Sequence, residues 1–317
     1  MRILIVTPAA PKSRAGNRMT ALHWSRLLRD VGHQVAIAQR FDRQRCDALI
    51  ALHARRSHDS VARFHRLRPE SPLILALTGT DLYGDIHHDE SAQQSLELAD
   101  RFIVLQQAGL DELPARFRRR THVIVQSARP PRGSPPPTRR GCFEVCVVGH
   151  LRDVKDPFRA AEAARLLPTE SAVRILHAGG ALSSEMETRA RREARDNPRY
   201  QWLGNLPHGQ ALRLIARSRA MVLSSQMEGG ANVVCEAMAC GTPVISSRIS
   251  GTIGLLGADY PGYFPFGDTT ALADLLTRCE NRPEFLESLL TGVRRRAHLV
   301  DPDTERTALV DLLTQVA

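Results

Sequence analysis

The sequence predicts an α/β protein of two doubly wound, Rossmann-like domains, each a parallel sheet with helices on both faces. Three observations carry that expectation. Short aliphatic runs alternate with amphipathic stretches along most of the chain, the pattern of strands feeding crossover helices. The alternation breaks once, at a segment rich in Pro and Gly between residues 128 and 141. At 317 residues, 43% of them hydrophobic, the chain is long enough to bury two cores of ordinary size.

In the first half the expected strands are Ile3–Val6, Val35–Ala38, Ala48–Leu52, Leu73–Leu77, Phe102–Leu105 and Val123–Val125. Between the first two, Ala21, Leu22, Trp24, Leu27 and Leu28 recur at helical spacing, so Ala21–Arg29 reads as an amphipathic helix. Residues 129–141 read as a semi-rigid linker, because their prolines and glycines support neither helix nor sheet. The N-terminal domain is thus expected over 1–128 and the C-terminal domain over 142–317. In the second, strands are expected at Phe143–Val148, Val173–His177, Tyr200–Leu203, Ala220–Ser224 and Val244–Ser246, with a strong helix over Glu185–Asp196. A last helix, Thr304–Val316, is expected to pack back toward the N-terminal domain. Two such domains would face a central cleft, and ligands of these sheets bind outside the carboxyl ends of the strands. The loops following each strand are therefore where chemistry is sought.

Composition excludes several classes. No run of eighteen apolar residues exists, and Arg2–Val6 is too short for a signal-peptide core, so a cytoplasmic enzyme without stable membrane association is expected. The six cysteines are scattered without a second Cys or His cluster at metal-ligand spacing, so no metal is expected and the thiols read as reduced. The net charge of +9 is spread along the chain and no nucleic-acid motif accompanies it, so the expected partner is a polyanionic small molecule and not nucleic acid. Of 43 basic residues only Lys12 and Lys155 are lysine, which makes both conspicuous.

The most informative stretch runs from Ser225 to Pro243 between two expected strands. It holds Glu228, then Gly229, Gly230, Ala231, Asn232 and Val233, then Glu236. Glu228 is expected in the loop ahead of a helix, with the glycines at the helix start and Glu236 two turns in. A helix N-terminus offers free backbone N–H groups and a positive dipole end to a phosphate. Each carboxylate can accept hydrogen bonds from a vicinal diol, one on a sugar and one on a ribose. Such a site suits a nucleotide sugar.

The other strand-end loops fit the same ligand. After the first strand comes a basic loop with Lys12, Arg14, Gly16, Asn17 and Arg18, which lacks the G-x-G-x-x-G dinucleotide fingerprint. After the third come His53, Arg55 and Arg56, and after the fourth Thr78, Gly79, Thr80 and Asp81. Arginine forks bind phosphate oxygens bidentately, so these loops are candidates for an anionic acceptor. In the second half, Gly149 is followed by His150, Arg152 and Lys155, two cations placed for a leaving diphosphate. Gly179–Gly180 and the turn Gly204-Asn205-Leu206 allow close backbone approach to a nucleotide.

Together, Gly149 to Lys155, Tyr200 to Gly204 and Ser225 to Pro243 resemble the glycosyltransferases of GT-B fold and family 4 type. The resemblance covers nearly the whole chain. It implies that Glu228 holds the donor sugar, Glu236 the ribose and Lys155 the diphosphate; with Arg152 from the Gly149 turn, Glu228 and Lys155 make up the expected catalytic set. Gly16, His150, Gly180, Leu206 and residues 229–233 complete the implied donor site. More narrowly, Gly16-Asn17-Arg18, residues 51–57, 77–83, 149–157, 227–234 and 254–264 resemble the selenosugar synthases of selenoneine biosynthesis. That likeness implies transfer from a UDP-sugar, UDP-N-acetylglucosamine, to selenophosphate without a cofactor. It also implies a functional link to a selenophosphate synthetase and a downstream selenoneine synthase. The competing expectation is a family 4-like enzyme acting on a lipid or saccharide hydroxyl. Two departures bear on the choice. His150 stands where an Arg usually follows the glycine, and Thr78 where many relatives carry a His near the reacting sugar.

Overall fold

The computed structural model describes residues 1–13, 16–133, 139 and 141–316. They form two compact units, Met1–Gln126 with Pro302–Ala317, and Ser127–Asp301.

The first unit contains β1 (Arg2–Val6), α1 (Gly16–Asp30), β2 (Gln34–Ala38), β3 (Ala48–Leu52), α2 (His58–Leu67), β4 (Leu73–Leu77), α3 (Ile86–His88), α4 (Glu90–Leu98), β5 (Arg101–Val104), α5 (Ala115–Arg118) and β6 (Thr121–Val123). Its parallel sheet runs β2-β1-β3-β4-β5-β6. Every residue of β3 and β4 is buried, as a sheet covered on both faces requires. Alternate side chains go to opposite faces. Leu4, Leu49, Ala51, Leu75 and Leu77 pack with Phe64, Phe102 and Phe117 on one side, while Ile3, Ile5, Ile50, Leu52 and Ile74 pack with Trp24 and Leu28 on the other.

The second unit contains β7 (Phe143–Val148), α6 (Arg159–Arg165), β8 (Val173–Ala178), α7 (Ser184–Asp196), β9 (Tyr200–Trp202), α8 (His208–Arg217), β10 (Ala220–Leu223), α9 (Asn232–Cys240), β11 (Val244–Ser247), α10 (Ser250–Leu256), β12 (Tyr263–Phe264), α11 (Thr269–Asn281) and α12 (Pro283–Arg295). Its sheet, also parallel, runs β12-β11-β10-β7-β8-β9. The strand order reverses between β7 and β10, so the loops leaving those two strands flank the switch point.

The last helix, α13 (Pro302–Thr314), follows the second unit in sequence but is counted with the first. Leu309, Leu312 and Leu313 join the cluster under α1, and the buried Glu305 accepts a 2.8 Å hydrogen bond from Trp24 Nε1 and pairs with His23 Nε2 at 2.6 Å. Of the expected linker, residues 134–138 and 140 lie outside the described residues, and its remainder belongs to the second unit.

Strand ends shift by one or two residues from expectation. The sixth strand, expected at Val123–Val125, pairs as Thr121–Val123 because Phe102 faces Thr121 across the ladder. The chain stays hydrogen-bonded beyond it, Ile124 N donating to Val104 O at 2.9 Å. The two-residue edge strand β12 was not expected, being too short to show a period.

Candidate functional site

At the switch point of the second unit, the loops after β7 and β10 are tied together by side chains. Lys155 Nζ forms an ion pair with Glu228 Oε1, and Ser225 Oγ donates to the same oxygen at 2.6 Å. Ser224 Oγ donates to the carbonyl of Asp156 at 2.8 Å, and Gln226 N donates to Val154 O at 2.9 Å. The Lys155 turn is sharpened by Asp156, whose φ of 43° is left-handed, and Arg159 Nε holds the Asp156 carboxylate at 2.7 Å. Glu228 is a charged group with its side chain only 10% exposed, and such a group persists where it is paired and hydrogen-bonded. Arg152, by contrast, is exposed at the head of the turn.

Glu228 is also pressed from behind. A Cβ on Gly251, in the first turn of α10, would lie 2.1 Å from the carbonyl oxygen of Glu228, so no larger residue fits there without moving it. Ser247 Oγ donates to Ser225 O at 2.6 Å and steadies the same loop. Gly251 was not expected from the sequence; its role arises from a tertiary approach that no local spacing signals.

The glycines sit slightly differently from expectation. Gly229 and Gly230 are buried ahead of α9, and the cap residue is Ala231 at φ 35°, a left-handed conformation rare for a residue with a Cβ. Glu236 is the fifth residue of α9, just over one turn in and not two. The first turn carries the exposed Asn232 and half-buried Val233, and it presents their N–H groups to the loop. Glu236 Oε1 lies 2.7 Å from Nε2 of His208, the first residue of α8. This bond raises the imidazole pKa, against the opposing effect of burial. His208 too escaped the sequence reading, since 28 residues separate it from Glu236.

The loops after β7 and β8 meet at backbone contact. A Cβ on Gly179 would lie 1.7 Å from Gly149 O. Trp202 Nε1 donates to Gly179 O at 2.7 Å, and the buried His177 sends Nε2 to Gly149 O at 3.3 Å. With Nε2 carrying the proton, Nδ1 accepts from Tyr200 Oη at 3.0 Å, and burial pushes the imidazole down to about 4. His150 lies beside Gly180, its Nδ1 buried without a hydrogen-bond partner among the described residues. Leu206 is half-buried beyond the left-handed Gly204.

In the first unit, β1, β3 and β4 are neighbours, so their carboxyl-end loops adjoin. His53, buried at φ 78°, ends β3 and lies 3.2 Å from Thr80 Oγ1. Burial pushes its imidazole pKa down, against the nearby charge of Asp81. Asp81 itself is turned inward. It is fully buried and accepts from the N–H groups of Ala54, Thr78 and Gly79, which makes it the brace of these loops. Arg55 is drawn to Asp85 at 3.0 Å, while Arg56 and Lys12 are exposed. Gly16 and Asn17 open α1, and Arg18 follows with its Nε buried and without a partner among the described residues. Arg14 lies outside the described residues. Thr78 is half-buried at the end of β4. Among the described residues, no group of three His, Cys, Asp or Glu side chains is placed to hold a metal, and no helix is long and apolar enough to cross a membrane.

Two parallel α/β units with a strand-end site on the second define a fold shared with solved GT-B glycosyltransferases. Anabaena HepE, solved in complex with UDP and glucose, superposes with a TM-score of 0.76 at 16% identity, covering 99% of this chain and 100% of that one. Sucrose-phosphate synthase from Thermosynechococcus elongatus gives 0.75 at 17% identity, covering 99% and 98%. At such identities the likeness establishes the fold. The family follows from sequence: residues 137–296, half of the chain, match the glycosyl transferases group 1 model, and the protein belongs to that family. A 106-residue stretch, 33% of this chain, is 34% identical to the D-inositol 3-phosphate glycosyltransferase of Saccharomonospora viridis. That match spans 25% of the relative's length.

Proposed function

We propose that the protein transfers the sugar of a UDP-sugar, UDP-N-acetylglucosamine, to the selenium of selenophosphate. The observation that carries the donor half is the Lys155–Glu228 pair at the switch point, beside the N-terminus of α9. A nucleotide sugar gives each group a new partner. Its diphosphate takes Lys155, Arg152 and the helix N–H groups, and its sugar hydroxyls take Glu228. The ribose goes to Glu236. The Anabaena relative was solved with UDP-glucose, which supports a uridine nucleotide as donor.

The acceptor half rests on the residue at position 78 and on the cations in the strand-end loops of the first unit. A hydroxyl acceptor needs a base to take its proton. Thr78 is no such base, and selenophosphate, anionic at neutral pH, needs none. Its oxygens need cations, and Arg18, Arg55 and Arg56 supply them. Selenium attacks C1 as the C1–O bond to UDP breaks, and the bond electrons leave on the diphosphate. Arg152, Lys155 and the dipole of α9 stabilise that charge, so the proposed reaction requires no metal. Hydrolysis of the Se–P bond then gives phosphate and the 1-selenosugar. The reaction belongs to selenoneine biosynthesis, with a selenophosphate synthetase supplying the acceptor and a selenoneine synthase consuming the product.

Initial rates against selenophosphate test the acceptor side. Arg18→Ala and Arg55→Ala are each expected to raise the selenophosphate KM roughly tenfold, as loss of a charge-assisted contact does, with the UDP-sugar KM unchanged. Unaltered selenophosphate saturation in both variants removes the acceptor assignment.

A further inference from the structure

Glu236 is the group the proposed donor site assigns to the ribose, and a glutamate is a poor clamp unless something fixes it. Its side chain has three rotatable bonds, and ordering them costs free energy at the moment of binding. Here that ordering is already done. His208 Nε2 reaches Glu236 Oε1 at 2.7 Å across the packed faces of α8 and α9. The Glu236 side chain is 19% exposed and that of His208 68%, so the histidine stands on the solvent side of the carboxylate. Among the described residues Oε2 carries no partner, which leaves it for a hydroxyl. His208 also sits where a cation is disfavoured, at the N-terminal end of a helix dipole. Its attraction to Glu236 therefore works against the helix and not with it.

We propose that His208 is a positioning residue that holds Glu236 with one oxygen turned toward the ribose of the donor nucleotide. The inference rests on the donor reading above and adds a residue to it. It makes a distinct demand: loss of His208 weakens nucleotides that carry ribose hydroxyls and spares those that lack them.

Calorimetric titration with UDP and with 2′,3′-dideoxy-UDP tests this on the wild type and on three variants. His208→Ala is expected to weaken UDP roughly fivefold, the net size of one ordinary hydrogen bond, and to leave the dideoxy nucleotide unchanged. His208→Gln, whose amide N–H can reach the same oxygen, is expected to recover most of that loss. Glu236→Gln sets the scale for losing the ribose contact. If His208→Ala binds UDP as the wild type does, or weakens both nucleotides equally, the inference fails. If Glu236→Gln loses the preference for UDP while His208→Ala keeps it, the donor reading stands and this inference alone falls. A wild type that binds both nucleotides alike overturns the donor reading and this inference together.

Discussion

Glu228 shows how much of a candidate site residue's setting lies outside its own segment. Its carboxylate is fixed by Ser225 three residues away and by Lys155 from another loop, while its backbone abuts Gly251 on α10. A methyl at Gly251 would overlap the Glu228 carbonyl at 2.1 Å and push the loop off its position. Displacements near 1 Å at a reacting centre cost on the order of a hundredfold in rate. Gly251→Ala is therefore expected to lower kcat by on the order of a hundredfold while circular dichroism shows the fold retained; a kcat equal to wild type contradicts the contact. The places of Lys155, Glu228 and Glu236 in strand-end loops and at a helix start were legible in the sequence because polar residue types stand out beside a strand-to-helix junction. Gly251 and His208 were not, since each meets its glutamate through space from a different element. Asp81 was legible as a polar strand-end residue, but nothing in the sequence distinguishes a carboxylate that binds a ligand from one that satisfies three backbone N–H groups.

Among the elements, β8 braces the Gly149 loop that the proposed donor site uses. His177 near its end holds Gly149 O as a neutral imidazole, at about 4 against an ordinary value of 6.5. Between those values the unfolded chain takes up a proton that the folded chain refuses, so stability declines as pH falls from 6.5 toward 4. The loss over that window is roughly 3 kcal/mol, and His53, also pushed down by burial, adds in the same direction. Urea midpoints are expected to drop between pH 7 and pH 4.5, and His177→Gln is expected to flatten that slope; an unchanged slope contradicts a buried neutral His177. The central residues of the strands were legible because sheets covered on both faces give unbroken apolar runs. Their ends were not, because ladder partners decide them, as β6 shows by pairing at Thr121.

For the whole molecule, the chain folds as two parallel-sheet units and returns at its end to the first, where α13 buries Leu309, Leu312 and Leu313 beside α1. Amphipathic spacing reveals that such a helix has a buried face, and tertiary contacts put that face in the cluster under α1. The fold and family are those of group 1 glycosyltransferases, and the residues at the second switch point suit a nucleotide sugar. Acceptor identity is a finer property, which the proposal places on a few loop residues such as Thr78, Arg18 and Arg55, and similar folds serve many acceptors. The central claim is the C1–Se bond. The most direct measurement mixes purified protein with UDP-N-acetylglucosamine and enzymatically generated selenophosphate under anaerobic conditions and follows the products by mass spectrometry. The account predicts UDP together with a hexosamine bearing selenium's isotope pattern, both absent with Glu228→Ala. UDP-sugar binding without any selenium-bearing product would contradict it and return the acceptor to a hydroxyl.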